Sequence, residues 1–302
     1  MSTNTQGAKG QRPVRTLIIL MLVLIIGAAT AVLTKATTIN LGLDLRGGTS
    51  VTLQPRISDG DTGKVTSEAI DQAVSIIRSR VNSLGVAESE VTAQGSGTNR
   101  QIVISVPGET GRRIVDLVGQ TAELRFRPVL VEGAANATSV SSDPAALPPG
   151  VTPELSAQFA SLDCTLPQNR QGGSSGNETQ AVVSCDRGGI AKYILAPAEV
   201  LGKQVTQATS LVDPQGASGW YVTLEFNGEG TSKFGAMTSR LTSLPAPQNQ
   251  AAIVLDGLVY SAPRINEAIN TGTAQITGNF SQLDAQDLAN VLKYGALPLA
   301  FD

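Results

Sequence analysis

The run from Thr16 to Leu33 carries no charged side chain, and it constrains what the rest of the chain can be more than any other feature. Arg15 and Lys35 flank it. At a rise of about 1.5 Å per residue, about 19 helical residues cross the roughly 30 Å hydrocarbon core of a bilayer. The sequence therefore predicts a membrane helix with a long polar domain attached. Lys9, Arg12 and Arg15 precede the helix and no acidic residue does. The positive-inside rule then places the N-terminus in the cytoplasm and the bulk of the chain outside it. A cleaved secretory signal has the same basic start, but its apolar region spans about 7–15 residues, shorter than this one.

Charge and composition narrow the function. The chain has 22 basic and 25 acidic residues; with the three basic ones before the helix set aside, 19 face 25, a net of −6. Neutralising nucleic-acid phosphates needs clustered Lys and Arg, so nucleic acid is excluded as a partner. The same balance argues against lying flat on anionic lipid. Histidine is absent, which removes Ser-His-Asp and Cys-His catalysis and the commonest transition-metal ligand. The two cysteines, Cys164 and Cys185, are compatible with a disulfide in an extracytoplasmic domain or with two free thiols.

After the anchor, one unit reads clearly. Ser50 to Leu53 predicts a strand. Thr66 to Leu84 predicts a helix with Ile70, Ala73, Val74, Ile77, Val81 and Leu84 on one face, capped by Thr66 and ended by Gly85. Glu90 to Ala93 and Gln101 to Val106 predict strands, the second buried on both faces. Glu109 to Val118 predicts a second helix and Ala122 to Val129 a last strand, with Leu124 and Phe126 facing one way and Arg125 and Arg127 the other. The order β-α-β-β-α-β is the split-βαβ, ferredoxin-like arrangement, an α+β fold.

From Glu132 to about Gly189 the chain is rich in Ala, Ser, Pro, Gly and Asn, which predicts an insertion with little core-forming capacity. Order returns with strands at Lys192 to Leu195 and Gly219 to Phe226, and a helix from about Gly230 to Leu241. Asp256-Gly257 between two apolar runs predicts a tight hairpin. Ala274 to Thr277 predicts another strand. Ser281 and Asp284 form a capping box for a last helix, which Gly295 and Pro298 end.

The motif Gly42-Leu43-Asp44-Leu45-Arg46-Gly47-Gly48 reads in two ways: a binding loop using Asp44 and Arg46, or a hinge in which the glycines allow a tight bend. No Lys-Ser/Thr follows Gly47-Gly48, so it is not a P-loop. The carboxylates of Asp284 and Asp287 fit the helix dipole better than acid–base chemistry. The residues alone therefore support a tethered extracytoplasmic binding or mechanical module without a catalytic constellation. A membrane-anchored sensor or solute-binding domain is the alternative.

Three stretches taken together resemble one family. Leu41 to Gly48 follows directly on the first apolar helix. Thr121-Ala122-Glu123-Leu124-Arg125-Phe126-Arg127 closes the first unit. Ile253 to Pro263, with Asp256-Gly257, leads through Ile276 to Phe280, which holds Gly278, to Leu288 to Leu292 and Gly295 to Pro298. The pattern is similar to the SecD/SecF family of protein-export subunits in the RND superfamily. The resemblance implies a cytoplasmic tail over 1–15, a membrane helix over 16–34, an extracytoplasmic base over 35–128 and 249–302, and an inserted head over 129–248. It implies a place in a bacterial cell membrane, no cofactor and no metal. Its expected partners are membrane lipid, SecF, the SecYEG channel, the SecA ATPase and unfolded secretory polypeptide, which the head holds and draws outward at the expense of the proton motive force. Family members enter a second membrane helix where this chain ends. The resemblance thus implies a truncated form that lacks five further helices and does not conduct protons unaided.

Overall fold

The computed structural model describes residues 13–33, 48–56, 65–85, 89–96, 100–107, 119–140, 147–172, 177–214 and 219–301. The chain divides into two compact units, Met1–Gly47 and Gly48–Asp302. In the first, helix α1 spans Pro13–Leu33, 21 residues, with proline at a first-turn position that leaves no donor unpaired. From Leu17 to Ile26 its side chains are all 54–63% exposed. Its side chains are described only for Val14, Arg15, Leu17 to Gly27 and Thr30, and among the described residues no helix is long and apolar enough to cross a membrane.

In the second unit, β1 (Gly48–Leu53), α2 (Ser67–Ser83), β2 (Glu90–Gln94) and β3 (Gln101–Pro107) follow one another. The strands form an antiparallel sheet in the order β1-β3-β2. The Thr66 hydroxyl accepts from the Ala69 amide at 3.1 Å, satisfying one of the donors that a helix start leaves free. At the other end Gly85 takes φ +78°, a conformation that costs glycine little. Ile70, Ala73, Ile77 and Val81 of α2 pack on Ile102, Ile104 and Val106 of β3. Val103 and Ser105 are only half-buried, so β3 buries one face, not two. It is the central strand with a helix on one side, and an antiparallel sheet can leave its other face open.

The first three strands keep the split-βαβ order, but the last strand of the expected unit does not join them. β4 (Leu124–Ala134) crosses into a six-stranded sheet, ordered β11-β10-β4-β6-β5, with β7 also on β4. These partners are β5 (Val182–Cys185), β6 (Ala191–Leu195), β7 (Val200–Leu201), β10 (Ala251–Leu255) and β11 (Leu258–Ser261). The expected four-stranded sheet is therefore corrected. Beside β1, the C-terminal segment contributes a bridge between Pro55 and Phe301, and the Arg56 amide donates to Ala300 at 2.8 Å. Leu297, Leu299 and Phe301 enter the core of the small sheet, and exposed Pro298 lies between two of them. The expected helix at 109–118 lies outside the described residues.

The six-stranded sheet curls until its edges meet. Asp186, just past β5, bridges Val259 of β11, and the Arg187 amide donates to Val259 at 3.0 Å. Val129, Tyr193, Leu195, Ala252, Val254 and Val259 fill one side. The other side faces a three-stranded sheet ordered β12-β9-β8, made of β8 (Val205–Val212), β9 (Trp220–Phe226) and β12 (Thr273–Phe280). Helices α4 (Gly228–Leu241) and α5 (Gln282–Lys293) complete this core with Phe234, Met237 and Leu241 from one, and Leu288, Val291 and Leu292 from the other. The reciprocal capping box forms, with the Asp284 amide donating to Ser281 Oγ at 3.1 Å and the Ser281 amide to Asp284 Oδ2 at 3.1 Å.

The region from Glu132 to Gly189 holds more core than its composition implies. Helix α3 (Pro153–Ser161) lays Phe159 against Ile194 and Val151, with Phe159 1% exposed. Leu130, Val131, Leu147 and Leu155 pack against them, so the region builds on β4 and β6 and need not form a core alone.

Candidate functional site

Of the motif after α1, Gly42, Asp44, Arg46 and Gly47 lie outside the described residues, and Gly48 opens β1 opposite Pro107. The C-terminal motif residues are all placed, and three of them belong to one joint. Asp256 and Gly257 are the two central residues of the β10–β11 turn, with φ +49° and +85°. Positive φ at both positions is the backbone twist that matches paired strands, and Asp-Gly accepts it at low cost. The turn aims Asp256 at the start of β4: its carboxylate accepts from the Ala122 amide at 2.9 Å and the Glu123 amide at 2.8 Å. Ala122 is itself held at φ +58°. Burial pushes the Asp256 carboxyl above the usual 3.8, against the pull of those two amides and of Arg80.

Arg80 supplies the other half of the joint. Its guanidinium, 1% exposed, donates to the Gln120 carbonyl and to the Gly295 carbonyl, both at 2.6 Å. The Leu297 amide donates to Thr121 at 2.8 Å. Gly295, at φ +82°, ends α5 and turns its carbonyl toward Arg80. Burial lowers the Arg80 pKa to about 10. Arg80 falls on the apolar face of α2, three residues after Ile77, and a charge on an apolar stripe is the signal that marks it. Gly278, the remaining motif residue, sits where the β12–β9 register shifts, and a Cβ there would meet the Phe280 ring at 3.1 Å.

A second feature is apolar. Phe126, Phe226 and Phe234 form a cluster with centroids 5.4, 5.4 and 5.1 Å apart, two of the three pairs edge-on. Edge-on pairs place the positive ring edge against a negative ring face. Beside the cluster opens a cavity of about 300 Å³, lined by Phe126, Phe234, Ile253, Ile265, Ile269 and the strand β12. Sequence patterning placed Phe126 on one face of a strand and Ile253 in an apolar run, but not the cavity between them, because Ile265 and Ile269 lie in an irregular segment without periodicity.

Two buried cations brace the inserted region. Arg127, fully buried, donates to the carbonyls of Asn177, Gln180 and Ala196 at 2.8–2.9 Å. Burial lowers its pKa to about 10. Arg125 is 5% exposed and pairs with Glu123. Arg125 and Arg127 thus lie on the face of β4 opposite Leu124 and Phe126, and that face is buried too. Lys192, also fully buried, donates to the Phe159 and Leu162 carbonyls at the end of α3 and lies 4.5 Å from the Phe159 ring centroid. Cys164 and Cys185 are joined, with Cα atoms 5.5 Å apart. Among the described residues no group of acidic, Cys or His side chains is arranged to hold a metal ion.

Family comparison identifies the arrangement. The SecDF P1 head subdomain matches residues 179–299, the N-terminal part of the SecDF P1 domain matches 70–131, and the SecD/SecF GG motif matches 36–55. The protein translocase subunit SecD of Streptomyces coelicolor is 34% identical over 348 residues, covering 88% of this chain. This chain spans 60% of that relative's length. A crystal structure of SecDF in a super-membrane-facing form aligns at TM-score 0.56 and 28% identity, over 95% of this chain and 34% of the other. A solved structure of SecDF, described as a membrane component that enhances protein export, aligns at TM-score 0.54 and 28% identity, over 84% of this chain and 97% of the other. The GG motif, the P1 sheets and the head thus recur in their order along the chain, which belongs to the SecD family of protein translocase subunits.

Proposed function

We propose that this chain acts as a membrane-tethered, extracytoplasmic holder of unfolded polypeptide within the Sec translocase. Helix α1 is the anchor, crossing once with the N-terminus in the cytoplasm. The unit that follows binds emerging preprotein without making or breaking bonds, beside SecYEG, SecA and SecF. The full complex couples its movement to the proton motive force. The Gly47-Gly48 motif serves as the hinge between anchor and domain. The observation that carries the reading is the apolar cavity beside the phenylalanine cluster. Unfolded chains offer apolar side chains in no fixed sequence, and a cavity lined by Phe and Ile takes them without directional demands. A solute-binding domain instead places several convergent polar groups around its ligand, and among the described residues Arg264 is the only charged one lining this cavity.

The test is site-specific photocrosslinking in an assembled translocase carrying a stalled secretory chain. A photoreactive residue at position 264, on the cavity rim, should crosslink to the stalled chain. A complex that assembles and secretes yet gives no crosslink from 264 or from neighbouring 275 would remove the reading.

A further inference from the structure

The six-stranded sheet protects its edges by joining β5 to β11, and α5 packs alongside β8. β12 is different. The Phe226 amide donates to the Gly272 carbonyl at 2.8 Å, and the register runs on through Ala274 opposite Leu224 and Ile276 opposite Val222. In an antiparallel pair the bonded positions alternate. Ala274 and Ile276 therefore spend their peptide groups on β9, while those of Thr273, Gln275 and Thr277 point the other way. Among the described residues no backbone group pairs with these three. All three line the cavity, together with Ala274.

An unpaired edge is a template for another strand, and folded proteins ordinarily blunt such edges with Lys, Pro or inward charges. Thr273 to Phe280 contains none of these. We infer that β12 accepts a segment of client polypeptide as an added strand, its main chain bonded to Thr273, Gln275 and Thr277. An alternate side chain of that segment then drops into the cavity. The proposal rests on the holding function above and specifies how holding works. Main-chain bonding is independent of sequence, as a translocase client demands, and alternate side chains of a strand point to one face, where the cavity lies. The cavity stands at the small end of the 300–1,000 Å³ range of ligand pockets, with room for side chains but not for a folded element. An extended segment is therefore the occupant that the geometry fits.

Hydrogen exchange on the full chain in lipid nanodiscs tests this, with a reduced and carboxymethylated, permanently unfolded polypeptide as the probe. With probe bound, the Thr273, Gln275 and Thr277 amides should slow at least about fivefold, the effect of one net peptide hydrogen bond. Gln275→Pro removes an outward donor, which an edge strand tolerates, and should weaken probe binding by a similar factor relative to Gln275→Ala, which truncates the same cavity-lining side chain but keeps the amide. Crosslinks from position 264 without slowed exchange at these amides would overturn strand addition and leave the holding function standing. Absence of both would remove both. Slowing that needs no probe and grows with protein concentration would show pairing between copies of this chain and would also overturn the proposal. Should Gln275→Pro fail to fold, the exchange pattern of the unaltered chain decides alone.

Discussion

Replacing Asp256 by alanine tests the joint between β4 and the β10–β11 turn. The carboxylate accepts from two backbone amides, at 2.9 and 2.8 Å. A hydrogen bond to a charged group contributes about 1.5–3 kcal/mol, so the gross loss is about 3–6 kcal/mol. Two further effects act in opposite directions. Alanine at φ +49° adds about 1–2 kcal/mol of left-handed strain. Against that, burial is the largest influence on Asp256 and keeps its pKa above 3.8, so deleting the buried anion recovers part of the loss. The expected net destabilisation is about 3 kcal/mol. Asp256→Asn tolerates the positive φ and keeps one acceptor oxygen, so it should cost about 1–2 kcal/mol. Urea unfolding of the detergent-solubilised chain, followed by the fluorescence of Trp220, the single tryptophan, measures both. Exchange at the Ala122 and Glu123 amides should accelerate in parallel. Both variants within 0.5 kcal/mol of the parent, the ordinary range of a surface change, with exchange unaltered, would refute the reasoning. The pH dependence gives an independent check. A carboxyl whose pKa rises on folding favours the folded state in its protonated form, and that advantage is lost as pH rises through the folded value. The parent should therefore gain stability relative to Asp256→Asn as the pH falls from neutral toward 3.8.

The other expectations follow from single contacts. Phe234→Ala removes a ring 4% exposed that touches two other phenylalanines and should cost about 3–5 kcal/mol in urea unfolding. Reducing the bridge between Cys164 and Cys185, 21 residues apart, should cost about 3 kcal/mol by the chain-entropy model. The effect should show first as faster exchange in α3 and β5. Arg80→Met leaves the Gln120 and Gly295 carbonyls without their donor. It should lose about 3 kcal/mol, of which Arg80→Lys, with one point charge, recovers only part.

How much of this was legible depended on how local its cause was. Helices α2 and α5 were readable because Thr66, Gly85, Ser281, Asp284 and Gly295 each act within a turn of their own position. The Asp256-Gly257 hairpin was readable for the same reason. The path of β4 was not. Arg125 and Arg127 alternate with Leu124 and Phe126 as they would in a half-solvated strand. The carbonyls that satisfy Arg127 come from residues 50, 53 and 69 positions away, and no local pattern announces them. The inserted region was underestimated because composition counts apolar residues without knowing what they pack on, and Phe159 packs on β6. The cavity was hidden for a related reason: it is bounded by Phe126, Ile253, Ile269 and Thr273, which are adjacent only after three separate segments have folded.

The small sheet and the rest of the unit have separate apolar cores, one around Ile77 and Ile104, the other around Phe126 and Leu224. Arg80, through the Gln120 and Gly295 carbonyls, and the Leu297 amide, through Thr121, join them by polar contacts. Apolar burial is non-directional and grows with area, whereas a peptide hydrogen bond is directional and contributes about 0.5–1.5 kcal/mol net. A joint of this kind sets orientation closely while adding little cohesion. The small sheet should therefore open as a cooperative unit below the free energy of global unfolding. Native-state exchange in low urea measures this. The amides of β1 to β3 should converge on one opening event, and those of β9 and β10 on a second that costs more. Arg80→Met should lower the first without moving the second. A single common opening event for all five strands, unchanged in Arg80→Met, would mean that the cores are cohesive across the joint and that its polar contacts are incidental.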